Sequence, residues 1–397
     1  MAEIKKVKEP LFQISKRGEA SLLRNIIVRV IAVISGILVG GLLCLIVYGK
    51  SPIDFVKYLF EGNFKPATRI WELFKGTALL LGVGLALIPA FKMKFWNLGG
   101  NGQVLIGALV STGCLFYLGG KIPDGVLWVI MFVLSVLAGA IWAVIPAIFK
   151  AFFKTNESLF TLMMNYIATG LVAFAIKEWG GVNSSGTLNP INEGALPVFF
   201  NNNAILPIIV VVLMAVFVTV YMKFSKHGYE IGVVGDSENT ARYVGINVKK
   251  VIIRTLAISG AMCGIVGFLI AGGLDHSVTT DSAKNMGFTA IIAVWVANMD
   301  PLMTTCSTLG IIFLTNGLSR VQQNFGITND SVSNMIVGLM YLFIIACVFF
   351  TTYKVKINFK GKKAKAQQSQ TLTNNQVEAD QVQGVEDENK DTEERGE

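Results

Sequence analysis

The polar residues of this sequence form no complete catalytic or nucleotide-binding motif. Gly49-Lys50-Ser51 matches the end of a phosphate-binding loop. That motif also needs a glycine where Cys44 stands, and the tripeptide directly follows an apolar segment, so we reject it. The HExxH, GxSxG and EF-hand patterns are absent from the sequence. If ATP drives this protein, another chain must bind it, and we predict that this chain holds no cofactor.

Metal and redox sites are also disfavoured. The five cysteines lie singly inside apolar runs, with no CxxC pair, and there are only two histidines. We interpret the cysteines as small core-filling residues and predict no metal. No Asp or Glu lies in the middle of an apolar run, whereas carriers driven by protons or sodium place acids there. An ion-coupled carrier is therefore disfavoured, although backbone carbonyls alone can hold sodium.

Most of the chain consists of apolar segments, and these must position any polar site. Of 397 residues, 53% are hydrophobic and 15% charged, with a mean hydropathy of +0.57. A soluble domain carries about 25% charged residues. The fold class expected is an all-α polytopic membrane protein. The net charge of +8 comes from bases between apolar runs. That arrangement favours lipid headgroups as partners and gives no indication of nucleic acid.

A bilayer core about 30 Å thick needs about 20 apolar residues in a helix. Two of the ten candidate windows, 76–91 and 285–299, are too short, which predicts helices that are short or broken. We predict about ten transmembrane helices. The windows are 30–48, 76–91, 95–120, 125–149, 158–176, 204–222, 255–274, 285–299, 301–319 and 331–353.

Orientation and domain boundaries follow from the charges. With ten spans and both termini cytoplasmic, the inner segments collect about 23 Lys and Arg against 9 outside, as the positive-inside rule requires. We predict a cytoplasmic lead-in at 1–25, a transmembrane domain at 26–353, and a tail at 354–397. The tail is basic and then acidic, with almost no apolar residues after Lys365, which predicts disorder.

The inner loop 223–254 carries the most specific local pattern. Glycines at 228, 232, 235 and 245 frame Asp236–Val244, a segment of two or three helical turns. Asp236 or Ser237 can cap its N-terminus. Arg242 stands near its C-terminal end, and Gly245 can end a helix in the left-handed conformation. A short helix along the inner surface can either transmit force to a cytoplasmic partner or serve as a simple connector.

This loop resembles the coupling loop of ABC importer permeases for simple sugars and nucleosides. Two further stretches, Phe95–Gln103 and Asn156–Ala168, are similar to conserved patterns of that family, and the second suggests its nucleoside branch, which is paired with a lipoprotein receptor. Asn101 departs from the family pattern, which has glutamate there. The stretches that match in the loop are Gly228-Tyr229-Glu230, Gly235 and Ala241–Val248.

The resemblance implies a non-catalytic permease in a bacterial plasma membrane. The partners implied are an ATP-binding subunit that holds ATP and Mg, a second homologous permease and an extracytoplasmic substrate-binding lipoprotein. The cargo expected is a nucleoside, with a simple sugar next. Residues expected to couple to the ATPase are Glu230, Gly235, Asp236, Arg242, Tyr243 and Gly245.

A nucleoside or sugar that crosses an apolar body needs amides and hydroxyls to replace its bonds to water. Candidates on the substrate pathway are Asn97, Asn101, Gln103, Asn165 and Trp295, which could stack on a base. Amides at helix ends also commonly bond the backbone of neighbouring helices, and that alternative stays open. The competing functions are an ion-coupled secondary carrier and a membrane scaffold without transport activity.

Overall fold

The structure is a computed structural model that describes residues 12–16, 22–180, 187–326, 335–343, 345–346 and 353–357. The chain divides into two compact units, Met1–Ile31 with Ala346–Glu397, and Ala32–Ile345. In the first, strand β1 (Phe12–Lys16) pairs antiparallel with β2 (Tyr353–Ile357), Phe12 opposite Ile357.

These strands were not predicted. Residues 354–357 belong to β2, so the prediction of a disordered tail from 354 is wrong for them. The physical reason is the alternation of apolar and basic residues in YKVKI, which is the period of a strand. The rest of the predicted tail lies outside the described residues.

The second unit is helical. The described residues form twelve helices, of which α1 begins in the first unit, and residues 335–343 are also helical. The helices are α1 (Leu22–Tyr48), α2 (Pro52–Phe64), α3 (Thr68–Lys92), α4 (Gly100–Leu118), α5 (Asp124–Phe153), α6 (Glu157–Gly180), α7 (Ile205–Phe224), α8 (Lys226–Asp236), α9 (Glu238–Tyr243), α10 (Val248–Gly273), α11 (Met286–Val296) and α12 (Pro301–Phe325).

Seven of the described helices, α3 to α7, α10 and α12, are long and apolar enough to cross a membrane. The number rises to eight if the bent pair Val33–Tyr48 and Pro52–Phe64, which meet at 120°, is one broken span. Helix α11 is short, as predicted, and window 331–353 is described only in part. A total of ten spans therefore stays a prediction.

The prediction that 76–91 is a short helix is wrong, because α3 runs for 25 residues. Arg69, Glu72 and Lys75 lie in its first turns, and their charges set the start of the predicted apolar window. In the structure they line a cavity and the helix continues through them. Window 95–120 is shorter than predicted, since α4 begins only at Gly100 and residues 94–99 are irregular.

Helices α3 and α10 form the centre, and α5 and α7 the periphery. The apolar windows of α3 and α10 are 83% and 72% buried, against 22% for α5 and 28% for α7. Helix α10 packs on α5, α4 and α3. At the α5–α10 crossing, Gly139 and Gly260 bring the two backbones into direct contact, so that a Cβ on either would overlap the other's carbonyl oxygen. Small residues allow such close helix packing in membranes.

This contact generates a prediction. Gly260→Ala should lower the free energy of unfolding by about 1–3 kcal/mol, because the added methyl forces the two helices apart. Unfolding in detergent measures it. Gly310→Ala on α12 is the matched control, since its Cβ would meet no atom within 4 Å. Equal stability of the two variants would contradict the packing described.

Candidate functional site: the coupling loop and a polar pathway

The loop 223–254 folds into two short helices instead of the one predicted over 236–244. Ser225 Oγ accepts a hydrogen bond from Gly228 N (3.0 Å) and starts α8, and Ser237 Oγ accepts one from Thr240 N (3.2 Å) and starts α9. Ser237 is extended, which breaks the helix between Asp236 and Glu238. Of the two caps predicted from the sequence, Ser237 is the one that forms. Gly245, at φ 82°, takes the left-handed conformation expected.

The outer face of α9 is unusually open. Tyr243 is 92% exposed and Val244 is 62% exposed, although both are large and partly apolar. Among the described residues, Arg242 forms an ion pair with Glu238 of its own helix, at 3.5 Å. Asp236 is also exposed, at the junction of α8 and α9. Exposed aromatic and arginine side chains together are typical of a surface that binds another protein.

Two of the six predicted coupling residues hold the loop against the bundle. Glu230 Oε2 lies 2.8 Å from Arg254 Nη2, which joins α8 to α10. Gly235 is buried where a Cβ would overlap the Lys92 carbonyl oxygen at the end of α3. The loop is therefore fixed to α3 and α10, and displacement of α9 would act on both.

A groove of about 200 Å³ runs beneath this junction. The ion pair Lys150–Glu157 (2.7 Å), between the end of α5 and the start of α6, lines one side of it. Residues 234–238 line the other side. The ends of four long helices thus meet the coupling loop at one end of the bundle, which we call the coupling end.

Glu230→Gln generates a prediction with a defined pH dependence. The hydrogen bond from Arg254 holds the pKa of the Glu230 carboxyl below its ordinary value of 4.5. Because the folded pKa is lowered, the ion pair's contribution is complete above about pH 4.5 and is lost as the pH falls through the folded value.

At neutral pH the substitution should lower the free energy of unfolding by about 1–3 kcal/mol. The difference from wild type should be present at neutral pH and shrink as the pH falls below about 4.5. Unfolding in detergent as a function of pH measures it. A difference of the same size at neutral pH and well below pH 4.5 would contradict this ion pair.

The irregular segment 94–99 is held by amide side chains. Asn97 is fully buried; its Oδ1 accepts hydrogen bonds from Gly99 N (3.0 Å) and Gln103 Nε2 (3.2 Å). Its Nδ2 donates to Ser259 Oγ on α10 (3.4 Å). Asn97 thus supports the backbone of this segment, as the alternative interpretation of the amides expected, whereas Gln103 bonds the Asn97 side chain and its buried Oε1 has no partner among the described residues.

Asn165 and Asn101 cap helices other than their own. Asn165 Oδ1 accepts from Gly102 N in the first turn of α4, and its Nδ2 donates to Leu98 O, both at 2.8 Å. Asn101 Oδ1 accepts from Gly287 N in the first turn of α11 (2.6 Å). A series of amide caps therefore joins α6 to α4 and α4 to α11.

Helix α11 begins about halfway between the two ends of the bundle. Asn165 is the ninth residue of α6, about 12 Å from the coupling end at 1.5 Å per residue. Trp295, near the end of α11, stacks on Trp96 with ring centroids 5.1 Å apart, and Trp96 contacts Phe91 near the end of α3. Helix α11 therefore covers the coupling-end half of the bundle, and the irregular segment 274–285 covers the other half.

A cavity of about 920 Å³ lies along that irregular segment. Arg69, Glu72 and Lys75 of α3 line it, together with Asp275 and Asn203. Since α3 and α10 meet the coupling loop at their other ends, this cavity lies at the end opposite α9. Irregular backbone at membrane depth is tolerated only where it is buried or lines a water-filled space. The cavity provides that space.

A second, smaller cavity of about 200 Å³ lies beside it. Asn101 and Asn165 line it, so two of the five predicted pathway residues come together there. Asn97 and Gln103 are buried and line neither cavity. Trp295, 43% exposed, lies at the coupling end and lines neither cavity.

Sequence reasoning missed Lys284 and Asn285, which line both cavities. The polar residues directly before the short window 285–299 could have indicated them, because such residues stand where a broken helix begins. No described group of three or more His, Cys, Asp or Glu side chains is placed to hold a metal ion.

The capping role of Asn165 generates a prediction. Asn165→Leu leaves Gly102 N and Leu98 O without partners, so the free energy of unfolding should fall by about 2–5 kcal/mol. Thr169→Val is the control one turn further along α6, because its hydroxyl bonds only within its own helix, to Asn165 O at 3.1 Å. Unfolding in detergent compares the variants, and a smaller loss for Asn165→Leu than for the control would contradict the capping role.

Comparison with known proteins gives the family. A guanosine ABC transporter permease protein, NupP, of Bacillus subtilis is 26% identical over 85% of this chain and 98% of its own length. A nucleoside ABC transporter permease protein, NupB, of Lactococcus lactis is 26% identical over 86% and 95%.

A glucose ABC transporter permease protein, TsgB13, of Haloferax volcanii is 27% identical over 85% and 92% of the two chains. No solved structure matches the chain. Residues 73–345 match the family model for the permease component of branched-chain amino acid transport systems, so the chain belongs to that family of multi-pass membrane permeases.

Proposed function

We propose that this chain is the transmembrane permease subunit of an ATP-binding cassette importer, which carries a nucleoside across the bacterial plasma membrane. The observation that carries the proposal is α9, a short capped helix with an exposed arginine and tyrosine, which follows directly on α8, the helix that is fixed to α3 and α10. Such a helix can pass a push from a partner into the bundle. The chain is not an enzyme in this proposal.

A nucleoside is the first candidate for the cargo, and a simple sugar the second. Two similar permeases bear guanosine and nucleoside in their names, and another bears glucose. The large cavity, at about 920 Å³, has room for either solute. Its lining mixes charged, amide and hydroxyl groups, including Tyr341 and Thr315, which suits a neutral polar solute that leaves its bonds to water behind.

Each proposed partner would bind a different part of the chain. An ATP-binding subunit, which would hold ATP and Mg, would dock at the coupling end on Asp236, Arg242 and Tyr243. A second homologous permease would complete the membrane unit. A substrate-binding lipoprotein would deliver cargo to the opposite end, at the mouth of the large cavity. Lipid headgroups would contact the basic residues at the ends of the helices.

Both chain termini and the coupling loop would face the cytoplasm. The excess of Lys and Arg in the segments that share that side supports this orientation. ATP binding would then close the partner subunits, displace α9 and shift the population between outward-facing and inward-facing states.

Gly245 gives the sharpest test. Gly245→Pro should leave the chain inserted but abolish uptake, because proline fixes φ near −65° whereas this position requires 82°. Gly245→Asn is the matched control, since asparagine tolerates the left-handed conformation, and should keep most of the uptake. Uptake of labelled nucleoside by vesicles that contain the whole complex measures both.

Purification in mild detergent completes that experiment. Wild type and Gly245→Asn should retain an ATP-binding subunit and a second permease, whereas Gly245→Pro should lose the ATP-binding subunit. Uptake by the wild-type chain reconstituted alone, with neither partner retained, would overturn the proposal in favour of an ion-coupled carrier. Retention of neither partner without any transport would indicate a scaffold.

A further inference from the structure

The two cavities of the membrane body meet at one turn of chain. Among the described residues, Lys284 and Asn285 are the two that line both the 920 Å³ cavity and the 200 Å³ cavity. The larger cavity opens toward the end opposite the coupling loop, and the smaller contains the amide caps Asn101 and Asn165. A solute that moves from the larger cavity into the smaller one passes this turn, because Lys284 and Asn285 line both.

The turn is held in an unfavourable backbone conformation. Lys284 and Asn285 have φ of 43° and 54°, so two consecutive residues other than glycine adopt the left-handed conformation. Short backbone bonds stabilise the turn, from Lys284 N to Asp281 O (2.8 Å) and from Met286 N to Ala283 O (2.7 Å). Strained backbone of this kind is concentrated at clamps and switches.

One side-chain bond fastens the turn to the rest of the bundle. Asn101 Nδ2 donates to Asn285 Oδ1 at 3.3 Å. The same Asn101 side chain caps α11 through its Oδ1 atom, at 2.6 Å from Gly287 N. The cap is therefore short and buried, whereas the bond to Asn285 is long and lies at the cavity wall. Of the two hydrogen bonds that Asn101 makes, the one to Asn285 is the weaker, so it is the one that another molecule can replace.

We propose that Asn285 is a specificity-determining residue that closes the passage between the two cavities and opens it when a solute takes its place on Asn101. The inference rests on the proposed function, because it assigns a residue of the same transport pathway. The solute must offer an acceptor to Asn101 Nδ2 in place of Asn285 Oδ1. Nucleobase carbonyls and ring nitrogens are such acceptors, as are sugar hydroxyls.

The first test measures access and does not require transport. Thr169→Cys introduces a thiol in the smaller cavity alone, and Thr289→Cys introduces one in the larger cavity alone. A charged, membrane-impermeant thiol reagent is added to the side of the larger cavity, in the whole complex. Chains without the added cysteine give the background from native residues such as Cys306, which is exposed.

With Asn285 intact, the thiol at 289 should react fast and the thiol at 169 slowly. Asn285→Gly should speed the reaction at 169 by about five- to tenfold, the change expected from loss of one hydrogen bond, and leave 289 unchanged. Glycine keeps the left-handed turn, so the variant removes the side chain without adding strain. Asn298→Gly is the matched control, because Asn298 is also left-handed (φ 54°) but lines neither cavity.

Asn101→Asp provides the second arm. Aspartate retains an oxygen that caps Gly287 and offers the Asn285 amide a carboxylate to which it can donate, so the reaction at 169 should stay slow. With Asn285→Gly added, the reaction at 169 should be as fast as with Asn285→Gly alone, because residue 101 then has no side chain at 285 to bond. A faster reaction in the double variant than with Asn285→Gly alone, or equally fast reaction at 169 with Asn285 intact, would overturn the proposal.

Selectivity is the third readout. Asn285→Gly should change the relative KM for nucleoside and sugar uptake, while Asn298→Gly should not. An unchanged ratio in a complex that still transports would overturn the specificity role. If no solute is transported even by wild type, the proposed function fails, whereas the access measurement still decides whether Asn285 closes the passage.

Discussion

Backbone amides and carbonyls inside a bilayer must find partners within the protein, because no water is available there. This chain interrupts its helices at that depth, at 94–99 and at 274–285. Asn97 and Asn165 supply the missing partners at the first break, and Asn101 supplies one at the start of α11. Irregular backbone is stable among apolar helices here because these amides bond it.

The same amides connect the loop 223–254 to the smaller cavity. Segment 94–99 follows directly from the end of α3, whose Lys92 carbonyl lies against Gly235 in the coupling loop. Its other side is bonded to Asn165, and α4 begins immediately after it. A displacement of the coupling loop therefore has a short covalent and hydrogen-bonded route to the caps that line the smaller cavity. No long-range mechanism is needed.

The sequence predicted the helices whose composition is uniform. Helices α5 and α7 are strongly apolar and mostly exposed on the surface of the bundle, so their windows nearly matched the structure. It failed at α3, where Arg69 and Lys75 ended the window although a cavity solvates them. A hydropathy window has no information on the three-dimensional neighbours that decide whether a charge lies in water or in lipid.

In the candidate site, the sequence predicted the local features and missed those that depend on tertiary contacts. The cap at Ser237 and the left-handed Gly245 are local features, and local sequence was sufficient to find them. The division of labour among the amides was not predictable, because it depends on contacts between residues far apart in the chain, such as Asn101 and Gly287. The same holds for Lys284 and Asn285, whose position is set by the break before α11.

Helix α11 has only 11 residues, about 16 Å of rise, in a layer roughly twice as thick. Between the larger cavity and the coupling end, the body that α11 provides is therefore about half as thick as the bilayer core. A transported molecule does not have to travel along a tunnel of membrane length.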